Sequence, residues 1–150
     1  TFYQMLSKEI SIKMRNFRGY IFSREIGPHR VPQHIQNQVI RNYAKQKQLN
    51  FLLSSVEYKM NNCFYMLYKT LDELDKIDGV ILYSMFMLPK SKSRRIEIYK
   101  NVLSNNSSLL GAVEDLTLNE EKDINRWEGI FEVSSVCELL NYEDIKKWLL

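Results

Sequence analysis

The side chains able to do chemistry in this chain follow short apolar runs. After the first run, Arg18–Ser23, come Ser23, Arg24, Glu25, His29 and Arg30. After the second, Leu49–Ser54, come Ser54, Ser55, Glu57 and Tyr58. After the third, Gly79–Ser84, come Ser84, Met85, Phe86 and Met87, and after the fourth, Leu109–Val113, come Glu114 and Asp115. A guanidinium beside a helix start can hold an anion, because free N–H groups and the helix dipole add to its charge. Arg24 and Arg30 are therefore candidate ligands for a phosphate, a carboxylate or a sugar phosphate, with His29, Gln36, Ser84, Met85 and Asp115 lining the same site. The alternative is that both arginines pair internally with Glu57 and Glu114. Those two carboxylates are candidates for general acid and base if burial separates their pKa values, and otherwise cap neighbouring loops. Ser23 is a candidate nucleophile with His29 as its base, or else a hydroxyl that binds ligand or caps a turn.

Other constellations carry less. His29 and His34 match no metal-ligand spacing, so no metal site is expected. Cys63 and Cys137 form neither a disulfide framework nor a metal site, and reduced thiols in a cytoplasmic protein are the expectation. Neither GxGxxG nor GxxxxGK[ST] occurs, and no cofactor is expected. Lys90, Lys92, Arg94 and Arg95 surround a helix start without interleaved aromatics. A solvated face is expected there, and nucleic acid is not the expected partner.

These groups need elements to position them. A helical pattern runs from Pro32 to Gln48 with Ile35, Val39, Ile40 and Tyr43 on one face; Phe64–Leu74 and Ser91–Leu103 follow the same period. Glu120–Phe131 and Val136–Leu150 read as two closing helices. Continuous apolar strands separated by helices predict right-handed crossovers and a parallel sheet covered on both faces. The expected fold is α/β and three-layered, with a mainly parallel sheet of four or five strands, resolvase-like or flavodoxin-like, and C-terminal helices. Ligands in such sheets bind at the carboxyl ends of the strands, near the switch in strand order.

With 150 residues, 45% of them hydrophobic, the chain suits one domain and is not disordered. Residues 17–150 are expected to form it, with residues 1–16 as an arm or short helix. No run of 18 apolar residues occurs, so no membrane span is expected, and Thr1–Ile12 lacks the features of a secretory signal. The net charge of +3 is unevenly spread. Residues 1–50 hold nine Lys/Arg against two acids, and residues 114–150 hold ten acids against four Lys/Arg. Such asymmetry fits an anion site, contact between the halves, or merely a solvated surface.

Two resemblances rest on particular residues. Gly19–Ser23, the Gln- and Arg-rich helix, Leu82–Pro89 and Ala112–Asp115 resemble the catalytic domain of serine recombinases (resolvases) over roughly residues 18–118. That family places its serine just after the first strand, where Ser23 stands. It has an arginine two residues earlier, where this chain has Ile21, and an Asp-Arg pair after the third strand, where this chain has Phe86, Met87 and Leu88. The resemblance therefore implies the scaffold without the clamp for a DNA phosphodiester. The set Arg18-Gly-Tyr, Ser23-Arg24, Arg30-Val-Pro32, Gln36-Asn37, Glu57, Asp78-Gly79, Tyr83–Pro89, Arg95, Ile98-Tyr99 and Glu114-Asp115 resembles the sporadic carbohydrate cluster proteins over about residues 17–132. This second resemblance implies a role in bacterial surface-polysaccharide synthesis, of O-antigen or capsule type, and brings no assigned catalytic residues.

Two functions follow. The first is a cofactor-independent protein that binds or modifies an anionic sugar or nucleotide-sugar ligand. The second is a non-catalytic homo-oligomeric assembly module on a degenerate resolvase-like scaffold, joined through Trp127, Phe131, Trp148 and Leu149.

Overall fold

The computed structural model describes residues 13–140 and 142–149. Five strands form one sheet in the order β2-β1-β3-β4-β5: β1 (Asn16–Ile21), β2 (Asn50–Val56), β3 (Gly79–Leu82), β4 (Ser108–Gly111) and β5 (Leu116–Leu118). The first four are parallel, and β5 returns antiparallel against β4, pairing Leu110 with Thr117. The expected α/β architecture is observed. The short β5, which the sequence pattern does not single out, completes the sheet after a turn in which Asp115 takes a left-handed conformation, φ 50°.

The helices are α1 (Gln33–Gln46), α2 (Tyr65–Leu71), α3 (Lys92–Ser104), α4 (Asp123–Leu139) and α5 (Tyr142–Leu149). The sheet's period of two divides the core. Phe17, Ile21, Ile81 and Leu110 face α1, meeting Ile40, Tyr43 and Ala44. Tyr20, Val80, Leu82 and Leu109 face the other way, into a larger cluster with Leu67, Ile98, Tyr99, Val102 and Trp127. Gly79 lets strands β3 and β4 meet, because a Cβ there would collide with the Ser108 carbonyl oxygen and the Phe17 ring.

Several expectations need correction. The two closing helices do not break between Phe131 and Val136, for α4 is continuous from Asp123 to Leu139 and ends at Leu140, whose backbone is extended. No proline or glycine stands at 132–135 to stop it. On α1, Ile35 is exposed and the polar Gln36 takes its place inside. Of the expected 1–16 arm, residues 1–12 lie outside the described residues, and Asn16 already belongs to β1. Arg95 is no part of a solvated face. Its guanidinium pairs with Glu128 at 2.8 Å, both side chains being 7% exposed, and Tyr99 donates to the same carboxylate at 2.9 Å. Burial disfavours the charge on Glu128, yet these hydrogen bonds outweigh it and hold the carboxyl below its ordinary range. This buried network ties α3 to α4.

Candidate functional site

The strand order reverses between β1 and β3, where the connections leave toward opposite edges of the sheet. An open cleft of about 740 Å³ lies there, walled by the loops that leave three neighbouring strands. The β1 loop supplies Ser23, Arg24, Glu25 and Arg30; the β2 loop supplies Lys59, Asn61 and Asn62; the β3 loop supplies Phe86, Met87, Leu88 and Lys90. Among the described residues, four cations thus face one cleft in which Glu25 is the one carboxylate. Among the described residues, none of the four lies within 4.0 Å of a carboxylate oxygen.

Arg24 is the most constrained of the four. Its guanidinium lies 4.7 Å from the Phe22 ring centroid and 5.0 Å from that of Phe64, and it donates to the Met60 carbonyl at 2.6 Å. It therefore joins the β1 loop to the β2 loop as well as lining the cleft. Arg94, from the first turn of α3, approaches Phe64 as well, at 5.5 Å, adding a fifth cation beside the site. The internal pairing of Arg24 or Arg30 with Glu57 or Glu114 does not occur among the described residues.

Of the residues expected from the sequence, Ser23, Arg24 and Arg30 line the cleft, with Met87 and Phe86 as part of its apolar wall. The others do not. Glu57 is buried, 3% exposed, and is fully engaged. It accepts from the Tyr20 hydroxyl at 2.8 Å and from the backbone N–H groups of Tyr58, Met66 and Leu67, each at 3.1 Å. Phe64 precedes α2 and has no side-chain acceptor, so Glu57 caps that helix from eight residues away. Burial works against its charge, but the bonds from Met66, Tyr20, Tyr58 and Leu67 prevail and lower its pKa. The Tyr20 hydroxyl is pushed far above its ordinary range by burial and by that carboxylate.

Glu114 braces the turn after β3, accepting from the Ser84 hydroxyl at 2.5 Å and from Met85 N–H at 3.1 Å. Ser84 in turn accepts from Phe86 N–H at 3.2 Å, and Met85 is fully buried. Glu57 and Glu114 thus belong to separate structural networks and do not converge as an acid–base pair. Gln36 prolongs β1 with its side chain: its amide donates to the carbonyls of Phe22 and Val31 at 2.7 and 2.8 Å, and accepts from Phe22 N–H at 3.3 Å. His29 closes the small turn on Ile26 and does not line the cleft. Asp115 lies beside α1, taking the Tyr43 hydroxyl at 2.9 Å and Lys47 at 3.2 Å. Lys59, Asn61 and Asn62 were not singled out in the sequence. Their signal was a polar run directly after the second strand, with Asn62 at φ 57° marking a sharp loop. Among the described residues, no group of three His, Cys, Asp or Glu is placed to hold a metal ion.

No family model and no curated protein matches the chain. Among solved structures it is similar to a resolvase family site-specific recombinase from Streptococcus pneumoniae, with a TM-score of 0.63 and 8% identity over 81% of this chain and 88% of that one. It is also similar to the N-terminal catalytic domain of TP901-1 integrase, with a TM-score of 0.60 and 14% identity over 83% of this chain and 99% of that one. Identities so low speak for the path of the backbone and not for the chemistry carried on it: the chain has a resolvase-like α/β fold.

Proposed function

We propose that the chain binds a multiply anionic small molecule, a sugar phosphate or nucleotide sugar, in the cleft at the β1/β3 switch point. One observation carries the reading: Arg24, Arg30, Lys59 and Lys90 converge from three loops with no carboxylate partner among the described residues, a concentration of positive charge that a bound anion would relieve. Arg30, Lys59 and Lys90 would take the phosphate oxygens. Arg24, already held over two rings, would present its remaining N–H groups with little loss of rotamer freedom. Ser23, Asn61 and Asn62 suit sugar hydroxyls, and Phe86, Met87 and Leu88 offer an apolar wall for a ring. The resemblance to the sporadic carbohydrate cluster proteins supports a sugar as the carrier of the anion and a place in surface-polysaccharide synthesis. Recombination is not the reading. Where the recombinase resemblance calls for an Asp-Arg pair after the third strand, the cleft has Phe86, Met87 and Leu88.

The test is a thermal-shift panel of inorganic phosphate, pyrophosphate, glucose 1-phosphate, UDP-glucose and a duplex DNA oligonucleotide, with Arg30→Ala as control. Arg30 serves better than Arg24, whose loss would also release the β2 loop. A ligand at a hundred times its Kd adds about 2.7 kcal/mol, which for a domain of this size raises Tm by roughly 5–11 °C. A shift with a phosphorylated sugar that vanishes in Arg30→Ala supports the proposal. Silence from every small anion, or tight binding of DNA alone, overturns it.

A second reading, the homo-oligomeric assembly module, is favoured by the apolar outer side of α4. Trp127 is fully buried in the core, so it is no interface residue as expected, while Phe131 is half-buried and packs on Phe86 at 5.4 Å. Val133, Val136 and Leu140 are exposed instead, and so are Trp148 and Leu149 on α5. Light scattering at micromolar concentration distinguishes this module from a monomer.

A further inference from the structure

The uneven charge of the chain resolves into two separate places. Of the nine Lys and Arg among residues 1–50, Arg24 and Arg30 line the cleft already described, and Arg18 pairs with Glu73. Five others, Lys13, Arg15, Arg41, Lys45 and Lys47, line an open groove of about 770 Å³ at the opposite end of the sheet. That groove lies where the chain enters β1 and β2, between the lead-in at residues 13–15 and the last turns of α1.

Two features separate this groove from an ordinary basic surface. A cation at a helix C-terminus complements the dipole without any ligand, which accounts for Lys45 in the last turn of α1 and Lys47 just past it. Arg41 stands a turn earlier, and Lys13 and Arg15 belong to another segment, so the dipole leaves these three unexplained. Among the described residues, no Asp or Glu lines the groove, and of its five cations only Lys47 has a carboxylate within 4.0 Å, that of Asp115 at 3.2 Å. The second feature is an apolar floor. Met14 is 51% exposed, and Leu49 and Phe51 are half-buried beside it. Arg41 lies 5.5 Å from the Phe51 ring centroid; Arg15 lies 5.1 Å from that of Phe17 and donates to the Ser108 hydroxyl at 2.9 Å. Both guanidiniums are thus held at the rim, and each has further N–H groups to offer.

We propose that this groove docks an acidic segment of a partner protein, with one or two large apolar side chains of the segment on Met14, Leu49 and Phe51 and its flanking Asp or Glu side chains on Lys13, Arg41 and Lys45. Charge complementarity fixes the sign of the partner, and the apolar floor fixes the rest of its chemistry. Arg41 suits a carboxylate, which its planar fork can hold through two hydrogen bonds. A nucleic acid would set phosphates against the rim and leave the floor uncovered, and a bilayer presents a plane that does not enter a concave site. Residues 1–12, which precede Lys13, hold one Lys and one Glu and so bring no net charge to neutralise it. The groove sits at the amino ends of the strands and the anion cleft at their carboxyl ends, so a docked segment leaves the cleft open to its own ligand.

The test is a selection of displayed random dodecapeptides on the full chain, followed by fluorescence-anisotropy titration of the enriched peptides. Enriched sequences should carry Asp or Glu on both sides of Leu, Met, Phe or Trp. Arg41→Glu combined with Lys45→Glu should weaken their binding at least about tenfold with unchanged circular dichroism, since both side chains are exposed. Met14→Ala should weaken it about threefold or more through lost apolar contact, which a purely electrostatic attraction would not do. Arg30→Ala, in the other site, should leave it unchanged. No enrichment, enriched peptides without acids, affinity that survives the double charge reversal, or affinity lost in Arg30→Ala overturns the proposal. So does a duplex DNA oligonucleotide or a phosphatidylglycerol vesicle that binds more tightly than the best peptide and is released by the same double variant.

Discussion

Replacing Glu57 with Gln separates a structural carboxylate from a catalytic one. The substitution keeps shape and burial but turns one acceptor oxygen into an NH₂ donor. In the native side chain Oε1 receives Tyr58 and Met66 N–H and Oε2 receives the Tyr20 hydroxyl and Leu67 N–H. Whichever way the amide is turned, two of these four donors then face another donor inside a site that is 3% exposed. A hydrogen bond to a charged group contributes about 1.5–3 kcal/mol, and local relaxation recovers part of two such losses. The net expectation is a destabilisation of about 3 kcal/mol, which corresponds to a fall in Tm of roughly 6–12 °C for a domain of this size. Urea unfolding followed by circular dichroism measures it. The same argument fixes a pH dependence. The folded carboxyl has a lowered pKa, so its contribution is fully present above the unfolded value of about 4.3 and is lost as pH falls through the folded value. The wild type should therefore lose stability in acid more steeply than Glu57→Gln, below about pH 4.3. A variant within 1 kcal/mol of wild type, with parallel acid profiles, would refute the capping role and return Glu57 to the list of candidate catalytic groups.

Two further outcomes test the framework that holds the cleft. Glu128→Ala strands the Arg95 charge and the Tyr99 hydroxyl in the core and should cost about 3–5 kcal/mol, whereas Arg95→Met with Glu128→Leu should recover most of it; a double variant no better than the single one contradicts the ion-pair account. Gly79→Ala should cost about 1–3 kcal/mol or more in chemical denaturation, because β4 must yield to the new methyl group, and an unchanged midpoint would mean that the strands can part at no cost.

Much of the fold was legible because period and composition are local. The four apolar runs, the helical spacing of Ile40 and Tyr43, and Gly79 opening its strand all follow from backbone sterics and from the need to bury both faces of a parallel sheet. The rule that clefts form at strand carboxyl ends is equally general, and it picked out Ser23, Arg24 and Arg30, which line the observed cleft. The antiparallel β5 was not legible, for three residues carry too little periodicity to be read.

The polar residues could not be assigned their roles from the sequence, and the reason is physical. A carboxylate after a strand looks the same whether it faces a ligand or the N–H groups of a distant helix. Only the packing of α2 against the end of β2 turned Glu57 inward, and only the turn after β3 brought Ser84 and Met85 N–H onto Glu114. Gln36, expected at the ligand site, instead extends β1, because its amide has the donors and acceptor of a peptide unit. Lys59 and Lys90 gained meaning only when loops 31 residues apart in sequence met at one cleft. The sequence by itself determined which segments would be strands and helices, because that depends on neighbours along the chain. Which charges converge unpaired, and which are buried in pairs, depends on neighbours across it, and that the tertiary structure alone decided.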